Sequence, residues 1–551
     1  MKKIWLIAML SIVGMCVSAE EVCQLMQNSP NPFEGTTEVV LTTKEGGEAT
    51  LVVSDLHGNL QTMHKETIEA GMHRFRITAA SKGTYMTAVK MNGSGASIVM
   101  LCTAGGGYNA IDYLGFVAPI EEEKEGSEED LGCQEEEEDE EDDFGSHKSK
   151  KKVQVSNFRV ALSLSPFSLT QFKKGYSFIV GDQVATTPAA LQQIYSDLGS
   201  TEMYCRIATK RHVTAQDITD GKPDSNANFH TLDQGLELCS IAAALNIPIN
   251  PEIMCAYTYM DMDRQQAPRF EEYPEIYALQ HGKDWSELTL DEICTVLGAY
   301  GAFVAEEILK TGCTVKNWNL GNEANYGFAG ISLGLKTKVN SKLKRSSAMK
   351  KYLLPIFGVW WMKKNIWKYN AKAYLALKNG ILSAYEKMNI DASDVQFSTH
   401  IATVVSTPRC SAAFFKCMAM NGYVMETAGI SYYPSAPAMS LNRKKMLKRT
   451  VTRINKKCEI PVFIGEFSYP SGKMSGEFAG WNKKLKGYSM NEQGQAELYS
   501  DVVAWGKERG MAGIRYWAPD YEGWYTMSMF EFKEKTGVAK TILTNHKNLI
   551  R

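Results

Sequence analysis

The sequence has no pair of cysteines at the close spacing of a metal-binding knuckle, although it contains 12 cysteines. Several of them, such as Cys255 and Cys417, stand in apolar runs, which indicates buried thiols more than a disulfide framework. After Val17 no apolar run is long enough for a transmembrane helix. These absences favour a globular protein. If the chain is exported, one or two disulfides can form, but the sequence does not define which cysteines pair.

The chain also lacks a strong overall charge, since its formal net charge is -2. This value hides an asymmetry: residues 121–143 carry about -15, so the rest of the chain carries about +13. Like charges this dense repel, and no apolar residues offset the ordering entropy, so residues 119–152 are predicted to be a disordered linker. Carboxylates without a turn-forming framework bind calcium weakly, and we expect neither a metal nor a cofactor.

A chain of 551 residues is too long for one ordinary core, so several domains are expected. It opens with Lys2 and Lys3, an apolar run from Ile4 to Val17, and a signal-peptidase site at Val17-Ser18-Ala19. Residues 1–19 are therefore predicted to be a secretory signal peptide. Cys16 as a lipoprotein anchor is less favoured, because Met15 is a poor fit before it. We expect a secreted, cell-surface or periplasmic bacterial protein.

Residues 20–118 contain short alternating segments that predict strands at Thr37–Thr42, Ala49–Ser54, His73–Ile77 and Thr84–Lys90. Tight turns at His57-Gly58-Asn59 and Asn92-Gly93 separate such segments, which is typical of a small β-sandwich. The run from Asn31 to Thr37 resembles the start of immunoglobulin-like modules in secreted bacterial proteins, including secretion-type sorting domains. We expect a spacer or accessory module, with glycan binding as an alternative.

Residues 153–551 alternate strands with helical runs, which predicts a (β/α)8 TIM barrel with insertions. The predicted helices include Leu232–Ala244, Thr295–Thr311, Asn365–Met388 and Asn491–Arg509. The eight predicted strands are Phe158–Leu164, Thr201–Ala208, Ile249–Cys255, Val315–Leu320, Val395–Thr399, Ala428–Ser431, Pro461–Gly465 and Gly513–Trp517.

Two of these strands end in a glutamate. Glu323 follows the strand that ends at Leu320, and Glu466 follows Gly465 at the end of a short apolar strand. Barrel enzymes keep their chemistry at the carboxyl ends of the strands. Two acids at two strand ends are the pair that a glycosidase requires, although many strand-end glutamates are only solvated or ion-paired.

Several motifs occur in one order along residues 153–520 and resemble glycoside hydrolase family 53, the arabinogalactan endo-β-1,4-galactanases of a large clan of retaining barrel enzymes. The strand Gly429-Ile430-Ser431-Tyr432-Tyr433-Pro434 matches this family most specifically. The other matching segments are Met203–Ile207, Tyr257 with Gln265 and Pro268, Leu320–Gly327, Phe397–Ala402, Ile464–Glu466 and Gly513–Pro519.

The resemblance implies a retaining hydrolase that cleaves β-galactan side chains of plant polysaccharide, with Glu466 as nucleophile and Glu323 as acid/base. The partner is then a polysaccharide or oligosaccharide; the oligomeric state stays open. It further implies that Arg206 favours the ionised form of Glu466. Asn322 would contact the sugar 2-OH or, alternatively, cap its loop.

Four other residues are candidate substrate-binding residues by the same resemblance. Tyr432 would donate a hydrogen bond to Glu466, with Tyr433 as its rival because neighbouring strand residues face opposite ways. Trp517 would form a platform under the sugar unless it is a core tryptophan. His400 would line the cleft, hold the acid/base or lie in the core. Tyr257 belongs to the loop after the third strand.

The sequence departs from the family pattern in three places: Ala256 replaces a histidine, Ser435 and Ala436 replace the bulky aromatic residue after Tyr432-Tyr433-Pro434, and Ala518 replaces an acid. They leave open another retaining β-glycanase, or a glycan-binding protein without activity. An insertion at residues 336–367 is basic and then aromatic. In a secreted barrel we interpret it as a cleft-flanking loop or a dock for the acidic linker, and not as a nucleic-acid site.

Overall fold

The computed structural model of the protein describes residues 23–25, 28, 33–43, 45–55, 59–118, 157–213, 229–262, 264–344, 358–437 and 444–551. The chain divides into two compact units, residues 1–138 and 139–551, which are described separately. The predicted signal peptide and the whole predicted linker with the residues that follow it, residues 119–156, lie outside the described residues.

The first unit is all-β, as predicted. The strand Phe33–Thr43 pairs antiparallel with Gly71–Thr78 through residues 36–43 and parallel with Ser94–Gly105 through residues 33–35, so it contributes to both halves of the fold. Alternate residues of the strands, such as Val39, Leu41, Phe75 and Ile77, form its core. The strands are β1 Cys23–Leu25, β2 Phe33–Thr43, β3 Gly47–Asp55, β4 Leu60–Ile68, β5 Gly71–Thr78, β6 Gly83–Met91, β7 Ser94–Gly105 and β8 Ala110–Ala118.

The predicted turn at Asn92-Gly93 joins β6 and β7 as a two-residue hairpin, in which Met91 pairs with Ser94. Both turn residues have positive φ, 47° for Asn92 and 78° for Gly93. This is the type I′ geometry that matches the twist of antiparallel strands and that asparagine and glycine adopt most readily.

The second unit is the predicted (β/α)8 barrel. Its strands are β9 Arg159–Ala161, β10 Ser177–Val180, β11 Gln183–Ala185, β12 Met203–Ile207, β13 Ile249–Ile253, β14 Asn317–Leu320, β15 Gly327–Phe328, β16 Ile331–Ser332, β17 Gln396–Ala402, β18 Thr427–Tyr432, β19 Val462–Phe467, β20 Gly513–Tyr516, β21 Phe530–Lys533 and β22 Thr536–Ala539. Eight of them form one parallel sheet in the order β12-β13-β14-β17-β18-β19-β20-β9, and each of these eight coincides with a predicted strand.

The barrel closes between β9 and β12. The backbone N–H of Thr201 donates to the carbonyl of Val160 at 2.8 Å. The N–H of Tyr204 donates to the hydroxyl of Ser163 at 2.9 Å. These bonds satisfy edge groups that would otherwise be left unpaired.

Helices cover the outside of the barrel. Thr231 and Thr289 begin two of them with capping boxes, which satisfy the free N–H groups of the first turn. A Cβ at Gly380 would lie 2.0 Å from the carbonyl of Gly298, so glycine lets two long helices approach closely. The α-helices are Ser168–Lys173, Pro188–Asp197, Leu232–Ala244, Pro274–Ala278, Leu290–Lys310, Val359–Met362, Lys368–Lys387, Pro408–Met420, Lys444–Cys458, Glu492–Glu508, Thr541–Thr544 and His546–Leu549.

A second sheet, in the order β11-β10-β22-β21, joins the segment after the first barrel strand to the end of the chain. The predicted insertion is described in part and contains a π-helical turn, Lys363–Trp367, that leads into the helix Lys368–Lys387. In the described ranges no helix is long and apolar enough to cross a membrane. The ten cysteines in the described part of the chain are free thiols, most of them buried.

Candidate active site

Glu323 lies just beyond the carboxyl end of β14, at the mouth of the barrel. Gly321 has a φ of +78°, and a Cβ there would lie 2.8 Å from the Tyr374 hydroxyl, so glycine is needed at this turn. Glu323 is itself left-handed, with φ 44° and ψ 51°, which is uncommon for a residue with a side chain. This tight turn ends the strand and leaves Asn322 and Glu323 buried beside it.

Glu466 lies near the end of β19 and is also buried. Ile430 of β18 pairs with Ile464, but Ser431 pairs with Glu466, so the register shifts by one residue at Gly465. Such a bulge re-aims the side chain that follows it. The carboxylate of Glu466 accepts a bond from Arg206 Nη2 at 2.5 Å and another from the Tyr433 hydroxyl at 2.6 Å.

The surroundings of Glu323 differ from those of Glu466. Burial, the charge of Glu466 and the charge of Asp261 together raise the pKa of Glu323 well above its ordinary value. The N–H of Met262 donates to Glu323 Oε2 at 3.3 Å and offsets part of this shift. One carboxyl therefore favours its neutral form, whereas the other is held by a cation and a hydroxyl donor. This is the asymmetry that an acid and a nucleophile require.

Arg206 contacts other protein groups in the barrel. Besides Glu466, its Nη2 donates to Asn322 Oδ1 at 2.9 Å, and its Nε donates to Glu252 at 2.6 Å. Its guanidinium carbon lies 4.2 Å from the ring centre of Trp517. Arg206 therefore lies next to Glu466, and its bond helps to fix the position of that carboxylate.

The side-chain amide of Asn322 both accepts and donates a hydrogen bond. In addition to the bond from Arg206, its Nδ2 donates to the carbonyl of Met260 at 2.5 Å. These bonds fix the amide plane and leave the second hydrogen of Nδ2 unused by them. Asn322 thus links the two halves of the site, since its neighbour is Glu323 and its partner Arg206 holds Glu466.

His400 lies in β17 on the Glu466 side of the site. Its Nδ1 is 3.3 Å from Glu252 Oε2 and its Nε2 is 3.8 Å from Glu466 Oε1. Of the three roles expected for it, these contacts favour a buried histidine that packs beneath Glu466.

Trp517 follows β20 and is largely buried. The edges of Tyr204 and Phe167 pack against it at centroid distances of 6.0 and 6.5 Å. One face of the indole is next to Arg206, as described above. A role for Trp517 as a platform under a sugar therefore stays a prediction, and it concerns the part of the indole that these residues do not cover.

Tyr432, the last residue of β18, and Tyr433, which follows it, face opposite ways. Tyr433 is the residue whose hydroxyl donates to Glu466, which was the alternative to Tyr432. Tyr432 packs against Phe467 at a centroid distance of 6.2 Å, in the core between sheet and helices. Tyr257 is half-buried, and its described ring contacts are cationic: Arg269 at 4.4 Å and Lys210 at 5.8 Å.

Two residues that the sequence reasoning missed stand out in the barrel interior. Glu252 of β13 and Arg515 of β20 are buried in a lumen that barrels usually fill with Val, Ile and Leu. The available signal was a charged residue at the centre of a short buried strand, because a buried charge requires partners.

The three departures from the family pattern, Ala256, Ser435 and Ala518, are all buried. Among the described residues no cluster of His, Cys, Asp or Glu has the arrangement of a metal site.

Comparison with known proteins agrees with this geometry. The sequence model described as Glycosyl hydrolase family 53 matches residues 278–549. A structure of fungal β-1,4-galactanases is similar with a TM-score of 0.52 and 15% identity, and the match covers 71% of this chain and 99% of that one. The family 53 catalytic domain of Ignisphaera aggregans is similar with a TM-score of 0.51 and 17% identity, over 71% and 95% of the two chains.

No curated protein sequence matches the chain. The structural neighbours, at this identity, establish the fold of the barrel, and the family match includes both Glu323 and Glu466. Residues 278–549 of the barrel therefore match glycosyl hydrolase family 53, and the protein is a glycoside hydrolase.

Proposed function

We propose that this protein is a secreted, retaining endo-β-1,4-galactanase that hydrolyses β-galactan side chains of plant polysaccharide. The observation that carries the proposal is the pair of buried carboxyls in opposite surroundings, Glu323 and Glu466. The family match supports galactan as the substrate class. The predicted signal peptide at residues 1–19 supports action outside the cytoplasm.

In the first step, a carboxylate oxygen of Glu466 forms a bond to the anomeric carbon while the glycosidic C–O bond breaks. The electron pair of that bond goes to the leaving oxygen, which takes the proton of Glu323. Arg206 and Tyr433 hold Glu466 through the bonds at 2.5 and 2.6 Å, so the attacking oxygen is oriented before substrate arrives.

In the second step, Glu323 is ionised and removes a proton from water, whose oxygen attacks the anomeric carbon and displaces Glu466. This double displacement retains the anomeric configuration. It requires the two carboxyls to be about 5–5.5 Å apart. The unused amide hydrogen of Asn322 is available for the sugar 2-OH, a bond that strengthens in the transition state.

A second candidate, another retaining β-glycanase, is favoured by the three departures from the family pattern. At Ala256 and Ala518 the side chain is a methyl group where the family carries an imidazole or a carboxyl, and Ser435 replaces an aromatic ring. A pocket that lacks these groups keeps the same chemistry but recognises a different set of sugar hydroxyls.

The proposal is tested by incubating the purified protein with galactan, arabinogalactan, mannan, xylan and glucan and separating the products by chromatography. Short galacto-oligosaccharides from galactan are expected. Products from a different glycan would change the substrate assignment but leave the assignment of both glutamates in place. If no glycan is cleaved but one is bound, the protein is a glycan-binding barrel and the proposal fails.

Tyr433→Phe is expected to lower kcat about 10- to 100-fold, because a hydrogen bond to a charged group contributes about 1.5–3 kcal/mol. The variant removes only the hydroxyl that donates to Glu466. Tyr432→Phe is the matched control, since it makes the same change one residue away, in the core. Initial rates on the preferred glycan decide the matter: an equal loss in both variants would contradict the assignment of Tyr433.

A further inference from the structure

A third carboxylate lies in the barrel beneath the two glutamates. Glu252 is 0% exposed. Its oxygens accept bonds from Arg206 Nε at 2.6 Å and from the Tyr204 hydroxyl at 2.9 Å, and Asn319 Nδ2 also donates to it. A carboxylate that is fully buried and held by this many donors is a built feature of the site, because an unpaired charge at this depth would be very costly.

Arg206 bridges Glu252 and Glu466. Its Nε bonds one carboxylate and its Nη2 bonds the other, so one planar guanidinium fixes both. Loss of Glu252 would free one edge of the guanidinium. The nucleophile would then be held by a side chain that is no longer fixed from behind.

A second cation is next to the same pair. Arg515 Nη2 lies 3.5 Å from Glu252 Oε2, and its Nε donates at 2.5 Å to the carbonyl of Gly465, the residue before the nucleophile. Its guanidinium carbon lies 3.5 Å from the ring centre of Tyr204. The buried group therefore holds two arginines and two carboxylates, whose charges cancel.

This balance matters for the chemistry. A carboxylate next to two uncompensated arginines would be stabilised as an anion and would be a weaker nucleophile. With Glu252 ionised, Glu466 experiences the net charge of only one arginine. Although burial alone would raise it, Arg206, His400 and Arg515 hold the pKa of Glu252 well below its ordinary range, so this compensating charge persists in acid.

We infer that Glu252 is a positioning residue of the reaction: it fixes Arg206 against Glu466 and cancels the charge of Arg515 beneath the nucleophile. The inference rests on the proposed function, since it concerns the residue assigned there as nucleophile. It goes beyond that function by tying the reactivity of Glu466 to a buried residue that makes none of the sugar contacts proposed above.

Other titratable groups face the same carboxylates and are left unchanged by the test. Tyr204 of β12 and His400 of β17 contact Glu252. Glu466 is faced by His400, by Tyr433 just after β18 and by the acid Glu323. Because these groups are common to all variants, a difference between variants reports the charge that was removed.

The test compares Glu252→Gln, Arg515→Gln and the double variant by the pH dependence of kcat/KM on the glycan that the unchanged protein cleaves. The acidic limb of this profile reports ionisation of Glu466 in the free enzyme. Removing the negative charge of Glu252 is expected to move this limb to lower pH by about one unit, and to lower the maximal kcat/KM about 100-fold. Removing the positive charge of Arg515 is expected to move the limb to higher pH by a similar amount.

The double variant is expected to return the limb to within about half a unit of its original position, because the two charges are removed together. A purely structural role predicts lower rates with an unmoved limb, and that result would overturn the inference. If Glu252→Gln does not fold, the upward shift in Arg515→Gln still decides. Glu202→Gln is the matched control, since Glu202 is a buried partner of Arg159 at 3.4 Å in the same barrel.

The two failures can be told apart. If the unchanged protein cleaves a glycan other than galactan, the substrate proposal fails and the limbs are compared on that glycan. If the unchanged protein cleaves none, the proposed function is wrong, and the role of Glu252 falls with it. If it cleaves galactan and the limbs do not move, only the present inference is wrong.

Discussion

Glu466→Gln is expected to lower kcat about 10⁵- to 10⁶-fold on every glycan that the protein cleaves. The amide keeps the size of the side chain and can still accept a bond from Arg206, but its oxygen is too weak a nucleophile to form the glycosyl-enzyme. Substrate affinity is expected to change little, because the loss concerns the transition state. Initial rates and isothermal titration calorimetry with the same oligosaccharide separate these two effects.

Glu497→Gln is the control for this substitution, since Glu497 is exposed on the helix Glu492–Glu508. Both variants should unfold at nearly the temperature of the unchanged protein.

A direct measurement on the unchanged protein is mass spectrometry after reaction with a 2-deoxy-2-fluoro glycoside, which should leave a sugar on the peptide that contains Glu466. A folded Glu466→Gln variant with activity within tenfold of the original would refute the role of Glu466.

Much of the barrel could be predicted because its strands are short apolar segments between amphipathic helices. The strand predicted at Val315–Leu320 is β14, and the strand predicted at Pro461–Gly465 is β19. Parallel strands of a barrel end at a common face, so two acids far apart in sequence could be assigned to one site. Their shared location follows from the order of the strands and needed no detailed packing.

The choice between Tyr432 and Tyr433 could not be made from the sequence. Side chains alternate along a strand, and an error of one residue in the register reverses which tyrosine faces the site. The register here shifts at Gly465, where β18 and β19 pair irregularly. A bulge of this kind depends on contacts between strands and leaves no clear local pattern.

Glu252 and Arg515 were missed for a related reason. Each is the single charged residue of its strand, and neither has a charged neighbour in sequence. Their partners come from other strands: Arg206 from β12, His400 from β17 and the Gly465 carbonyl from β19. Only the closed barrel brings these groups together.

The remaining differences concern pairing between distant or exposed segments. Strand β10 pairs with β22 near the end of the chain, and such a long-range pair has no local pattern. Strand β4 was not predicted because most of its residues are exposed or half-buried, so it lacks the alternation of a half-buried strand. Its strand conformation is stabilised by pairing with β3.

Replacement of Glu323 is expected to give the second large effect, and one that depends on the leaving group. Glu323→Gln should lower kcat on the natural glycan about 10²- to 10⁴-fold, the usual contribution of a general acid or base. With a nitrophenyl glycoside the leaving group needs no proton, so formation of the glycosyl-enzyme should stay within about tenfold. The intermediate should then accumulate, because the base that activates water is also lost.

Added azide distinguishes this role from general damage to the site. In Glu323→Ala the anion has room to attack the glycosyl-enzyme without base catalysis, so turnover of the nitrophenyl glycoside should rise and give a β-glycosyl azide. A loss of the same size on both substrates, without azide rescue, would mean that Glu323 is not the acid/base.

The alkaline limb of the pH profile should report the ionisation of Glu323. Because the pKa of Glu323 is raised by burial, Glu466 and Asp261, the acid keeps its proton to a higher pH, and activity falls as pH rises through that raised pKa. Asp261→Asn removes one of these charges, so the alkaline limb should move to lower pH, whereas Asp182→Asn, at an exposed turn, should leave it in place. The raised pKa of Glu323 also predicts that ionisation of this buried carboxyl destabilises the fold as pH rises. Glutamine cannot ionise, so at pH 8 Glu323→Gln should unfold at or above the temperature of the unchanged protein. The carboxyl that the reaction needs therefore lowers the stability of the folded protein.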